Sequence, residues 1–244
     1  MKKEHFMLYT AGKCFIIFYC VKFCEMSNQW SCFAGKDPSE CRIPEMDCNK
    51  SNVHIRGHRM EDAMIKRIGL LTSGGDCQAL NATMRGVVKG LSNSVENLEV
   101  YGFDDGYKGL IYGKYRMLTA RDFSGILTQG GTILGTSRQP FKLMRVPDEK
   151  GLDKVEAMKQ TYYKLCLDCL VILGGNGTQK TANLLREEGL NIIHLPKTID
   201  NDIWGTDMTF GFQSALEIAT NAIDCIHTTA ASHGRVFIVE IMGH

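Results

Sequence analysis

No stretch of this 244-residue chain is apolar for long enough to span a bilayer. The most apolar run, Cys14 to Val21, has eight residues where a spanning helix needs about twenty. A secretory leader is incomplete too: Lys2 and Lys3 could open one and Phe15 to Val21 form its core, but no small-x-small cleavage site follows. Net charge is almost absent, with 28 Lys plus Arg against 27 Asp plus Glu. No bulk field therefore draws the chain to nucleic acid or to acidic membranes, and any anion site must be local. Cysteine is scarce after the first fifth, where Cys14, Cys20, Cys24, Cys32, Cys41 and Cys48 crowd; only Cys77, Cys166, Cys169 and Cys225 serve the rest. What is present, 44% hydrophobic and 23% charged residues, suffices for one large or two small packed domains and excludes a disordered tail.

The chain divides near residue 64. Met1 to Met64 sustains no helical or strand period and reads as an extension, disordered or opened by a start placed too early, with Met60 or Met64 beginning the domain proper. Cys41, Cys48, His54 and His58 give C-x6-C-x5-H-x3-H; the histidine spacing suits zinc, but the cysteine spacing exceeds the usual two to four. That reading is set aside. From Ile65 onward 19 basic and 19 acidic residues balance, and the pattern becomes regular.

Ile65 to Thr72 is a short apolar run that ends in Ser73-Gly74-Gly75-Asp76, a strand entering a glycine turn. Leu80, Met84, Val87, Val88 and Leu91 then mark one face of an amphipathic helix. The same reading predicts strands at Leu98–Phe103, Cys169–Leu173, Ile192–Leu195 and Val236–Ile241. It predicts helices from Thr119 to Leu127, Asp153 to Lys164, Gln179 to Glu188 and Phe212 to Thr229. Strands separated by helices of this length imply parallel crossovers and an open three-layer α/β sheet, mostly parallel and Rossmann-like. In such sheets ligands bind beyond the carboxyl ends of the strands. The loops there carry the glycine and the charge: TSGGD, DDGYKG, GGNGT, PKTIDND and EIMGH.

Gly74 and Gly75 let backbone N–H groups approach a phosphate at a helix start, and Gly174 to Thr178 repeats the device at another strand end. Two such cradles suit a nucleotide better than either alone, although each is also a tight turn. Lys197-Thr198-Ile199-Asp200-Asn201-Asp202 sets two carboxylates beside a lysine and a hydroxyl. In an extended segment Asp200 and Asp202 point to one side, one to accept a proton and the other to hold a metal or a donor. As turn formers alone, the same residues would carry no chemistry.

Ile65 to His244 resembles the N-terminal part of the 6-phosphofructokinases. The resemblance rests on LLTSGGDCQALNATMRG (Leu70–Gly86), GGTILGTSR (Gly130–Arg138), LGGNGT (Leu173–Thr178), PKTIDNDIWGTDMTFGFQSA (Pro196–Ala215) and SHGRVFIVEIMG (Ser232–Gly243), five motifs in the family's order. It implies a cytoplasmic glycolytic kinase that moves a phosphoryl group from ATP to the 1-hydroxyl of fructose 6-phosphate, with Mg2+, and that is a homo-oligomer when full length. By the same resemblance Asp200 is the base and Arg138 steadies the transferring phosphoryl. Gly75, Tyr107, Arg138, Gln139, Gly175, Asn176, Gly177 and Thr178 take the nucleotide. Thr198, Ile199, Asp200, Asp202, Arg235, Met242, Gly243 and His244 take the sugar phosphate, with Arg235 reaching a neighbouring subunit.

Three departures qualify the resemblance. Asn176, at the metal position, is a neutral amide where many members have an aspartate, so metal affinity falls or shifts to Asp200 and Asp202. His244 replaces the arginine of the MGR segment. Lys197 resembles the pyrophosphate-using branch and Gly177 the ATP-using one. A side chain that blocks a nucleotide decides more than an added cation, so ATP is the expected donor and pyrophosphate the alternative. Family members continue well past EIMG, so the chain is expected to be a C-terminally truncated fragment that binds nucleotide weakly and does not turn over; a non-catalytic nucleotide-binding module is the competing class.

Overall fold

The computed structural model describes residues 65–241. The expectations for Met1 to Met64 and for Met242, Gly243 and His244 lie outside the described residues. In chain order the elements are β1 (Lys66–Ser73), α1 (Ala79–Ser94), β2 (Leu98–Phe103), α2 (Tyr107–Tyr112) and β3 (Tyr115–Leu118). After a 3-10 turn (Phe141–Leu143) come α3 (Lys154–Lys164), β4 (Cys169–Gly174), α4 (Asn176–Glu187), β5 (Ile192–Thr198), β6 (Phe210–Gly211) and α5 (Phe212–His233).

The sheet order is β3-β2-β1-β4-β5-β6. All neighbours are parallel except β3, which returns antiparallel along β2 from Phe103↔Tyr115 to Val100↔Leu118. β4, Cys-Leu-Val-Ile-Leu-Gly, is buried at every position, as a strand covered on both faces must be. Alternate residues feed two cores. Leu71, Phe103, Leu170 and Ile172 pack with Leu110 of α2, Met158 of α3 and Leu185 of α4. Leu70, Val100, Val171 and Leu173 pack on the other face with Leu80, Met84, Val87 and Leu91 of α1. Each fully buried large side chain contributes about 1.5–3 kcal/mol, and the two clusters make the expected three layers.

Because β2 lies to one side of β1 and β4 to the other, the winding reverses between β1 and β4, which pair in register from Ile68↔Cys169 to Ser73↔Gly174. That reversal opens a crevice at the carboxyl ends of these two strands.

Two expected elements are absent. Thr119 to Leu127 is a run of turns, not a helix. Asp122 accepts both the amide and the hydroxyl of Thr119, at 2.7 and 2.8 Å, which starts a cap, but Gly125 at φ 73° is left-handed and ends it. Val236 to Ile241 is not a strand; no neighbouring strand pairs with it among the described residues. Three elements, α2, β3 and the two-residue β6, were not expected. α2 places Tyr107, Leu110 and Ile111 in the core and closes on Gly113 at φ 66°, and β3 follows it.

Candidate active site

Loops from the ends of β1, β4 and β5 meet at the crevice. The first is fastened by buried polar ties. Thr72 Oγ1 donates to the Gly135 carbonyl at 2.8 Å, and Thr136 Oγ1 donates to the Gly74 carbonyl at 2.6 Å. Gly74 N–H donates to Ser137 O at 3.3 Å, with Gly74 at φ 92°. Asn81, wholly buried on α1, donates to Gln129 O at 3.0 Å and accepts from Ile133 N–H at 2.9 Å. These bonds hold the GGTILGTSR segment against the glycine turn and bring Arg138, exposed, and Gln139 to the rim.

The second loop opens α4. Gly175 is extended before Asn176, and the first helical bond runs from Gln179 N–H to Gly175 O at 2.9 Å. The amides of Asn176, Gly177 and Thr178 thus lie in the helix's first turn, where no intrahelical acceptor exists and the dipole favours an anion. Thr178 turns inward, its hydroxyl 3.4 Å from Ser73 O and its carbonyl accepting from the Tyr107 hydroxyl at 2.9 Å. A Cβ on Gly75 or on Gly177 would meet nothing within 4 Å, so both glycines border open space. Tyr107 is only 1% exposed. Tyr107, expected near the nucleotide, braces the loop from beneath through Thr178, and burial pushes its hydroxyl above the usual tyrosine range.

The third loop carries the carboxylates. Asn201 stands at φ 53°, so the segment is not extended and Asp200 and Asp202 do not share a side. Asp200 Oδ2 lies 3.3 Å from Thr198 Oγ1, and the Asp200 N–H donates to the same hydroxyl at 3.1 Å. Asp202 Oδ2 instead accepts from Asn176 Nδ2 at 3.0 Å, which joins the start of α4 to the loop after β5. Asn201 Oδ1 accepts from Thr209 N–H at 2.9 Å and Thr209 Oγ1 donates to Thr198 O at 2.8 Å, closing the loop on itself. Asn81, Asn201 and Thr209 were missed as site residues; the φ-tolerant Asn between two aspartates was the available signal.

Lys197 is 5% exposed and its ammonium donates to the Gly75 carbonyl. Burial lowers its pKa, opposed by Cys77, Asp76 and Asp200 and assisted by Arg138. Ile199 lines an open cavity of about 440 Å³ with Asp76, Cys77, Gly211 and Ala215. Arg235 is exposed just beyond the 22 residues of α5, which span about 33 Å at 1.5 Å per residue. Among the described residues no group of three or more His, Cys, Asp or Glu could hold a metal ion. Asp202 offers magnesium a carboxylate, and Asn176, whose amide nitrogen faces Asp202 Oδ2, could add its oxygen only on turning its amide; such an ion takes its other ligands from phosphate and water.

Residues 67–244 match the phosphofructokinase family. The chain belongs to that family. It is 57% identical over 192 residues to an ATP-dependent 6-phosphofructokinase of Spirochaeta thermophila, covering 76% of this chain and 51% of that one. It is 52% identical over 179 residues to ATP-dependent 6-phosphofructokinase 3 of Bacteroides thetaiotaomicron, covering 73% of this chain and 52% of that one. The chain thus spans about half the length of these phosphofructokinases. Among solved structures, Saccharomyces cerevisiae phosphofructokinase superposes with a TM-score of 0.62 at 32% identity, covering 73% of this chain and 26% of that one. The two glycine loops and the TIDND segment that meet at the crevice lie within the residues matched to that family. Among the described residues no helix is long and apolar enough to cross a membrane.

Proposed function

We propose that the chain carries the donor cradle and catalytic aspartate of an ATP-dependent 6-phosphofructokinase, acting on the 1-hydroxyl of fructose 6-phosphate in the cytoplasm as part of a homo-oligomer. The observation that carries this reading is the convergence of Asp200 with two glycine loops at the sheet's reversal point. The carboxylate of Asp200 takes the proton of the attacking hydroxyl, and the Thr198 hydroxyl bonded to the Asp200 amide keeps that carboxylate in place. First-turn amides of α4 and the backbone at Gly75 cradle the donor phosphates, and Arg138 balances the charge that spreads over the transferring group. Magnesium would supply positive charge against that of the donor phosphates, and Asp202 and Asn176 are the residues that would hold it.

Two features favour ATP over pyrophosphate. Gly177 leaves open space where a side chain would crowd the inner phosphates. The Lys197 ammonium is directed to the Gly75 carbonyl rather than offered as a free cation. A coupled assay of fructose 1,6-bisphosphate formation with each donor tests the reading. In a polypeptide of the relatives' full length that carries these residues, ATP should support turnover, and Asp200→Asn should lower kcat by about 10²–10⁴-fold with donor affinity kept, the range for loss of a general base. Faster turnover with pyrophosphate than with ATP would reverse the choice of donor.

A further inference from the structure

The bond from Asn176 Nδ2 to Asp202 Oδ2, 3.0 Å long, spans two separate elements: the first residue of α4 and the loop after β5. It is the link that faces the crevice mouth, since both residues are exposed while the Tyr107 and Thr178 ties lie buried beneath. An amide and a carboxylate are complementary without help. Two carboxylates at this separation would repel one another unless a cation or a proton lay between them. Among the described residues no cluster of three or more His, Cys, Asp or Glu could hold a metal ion.

We infer that Asn176 is a positioning residue: its amide holds Asp202, and with it the catalytic loop, against the start of α4 in the absence of any divalent cation. The crevice is therefore assembled before metal arrives, and a cation binds only together with the phosphate donor. An aspartate at this position would make loop closure depend on the cation. The donor part of this inference rests on the proposed function; the latch itself does not.

Thermal unfolding and calorimetry on the full 244-residue chain, with Mg2+ or Mn2+ alone, test it. The unaltered chain should show no heat of cation binding and no change in melting midpoint. Asn176→Asp should melt lower without cation, recover on addition of Mg2+ alone, and bind that ion at least about tenfold more tightly, because ligand charge sets affinity at oxygen sites. The exchange Asn176→Asp with Asp202→Asn restores an amide–carboxylate pair and should regain the original midpoint without a cation response, a rescue that a merely structural side chain would not give. Should Asn176→Asp fail to fold in cation-free buffer, folding on addition of Mg2+ supports the inference and failure with Mg2+ opposes it. Tight Mg2+ binding by the unaltered chain, or an Asn176→Asp variant with unchanged midpoint and affinity, overturns it. Adding ATP separates the two readings: a Mg2+ response that appears only with ATP supports both, whereas absence of ATP binding removes the proposed function and leaves the cation-free latch standing on its melting data.

Discussion

His194 sits on β5 with its Nε2 buried and without a hydrogen-bond partner. Burial pushes its pKa down to about 4, so the folded protein holds the ring neutral while the unfolded chain takes up a proton near pH 6.5. Between those values the unfolded state binds more protons, and stability falls as pH is lowered through this window. From pH 7 to pH 5 the loss attributable to this residue should be about 2 kcal/mol. His194→Gln should flatten that part of the profile in urea unfolding; an unchanged slope would place the ring in contact with water. His194 lies inside the apolar run Ile192 to Leu195, a sequence setting that fits a packed histidine. The direction taken by Lys197 was not legible, because a charged residue in a loop motif reads as a ligand until packing turns its stem inward. Nor did the motif reveal that Asn201 adopts a left-handed conformation and sends Asp200 and Asp202 to different partners.

At the scale of elements, β1, β2, β4 and β5 were legible to within a few residues, because apolar runs between helices have few other places to go. Short elements were not: α2 has six residues and β3 four, below the length at which a period declares itself. The helix expected after Thr119 began with a real cap and failed for want of a continuing helical backbone at Gly125. Where α4 meets β4 the packing is unforgiving. A Cβ on Gly174 would lie 2.5 Å from Thr178, whose side chain is buried and bonded to Ser73 O. Gly174→Ala should therefore destabilise the fold by about 1–3 kcal/mol, the usual cost of overpacking. Weaker ATP binding should accompany the shift, since the first turn of α4 must move to make room. Chemical denaturation and calorimetry on the same variant check both, and retention of the original stability would mean that Thr178 yields without cost.

Across the whole molecule the burial is uneven. α5 has no buried residue, and Leu216, Ile218 and Ile223 along it are 48%, 50% and 40% exposed. Val236 and Ile238 are 93% and 96% exposed, while Phe237 and Val239 are each 44% exposed, an alternation of period two with no partner strand among the described residues. Exposed apolar surface of this kind drives association. In sedimentation the chain should gain mass with concentration, and replacing Val236 and Ile238 by Ser should reduce that gain; a monomer at all concentrations would contradict the argument. The proposed homo-oligomer would draw on surface of this character; the sequence pointed to it through resemblance rather than through exposure.

The reversal of winding between β1 and β4 also has a kinetic side. Ile68 pairs with Cys169 and Ser73 with Gly174, residues about a hundred positions apart along the chain, whereas Lys66 meets Leu98 after about thirty. Closing the longer loop costs more entropy before any contact repays it. The donor cradle depends on that distant pairing, so a chain emerging from the ribosome can form the β1–β2 half early yet has no phosphate site until β4 has been made and has docked. On the proposed function, competence to bind a nucleotide is thus a late event in the life of the polypeptide, timed by the slowest strand to find its neighbour.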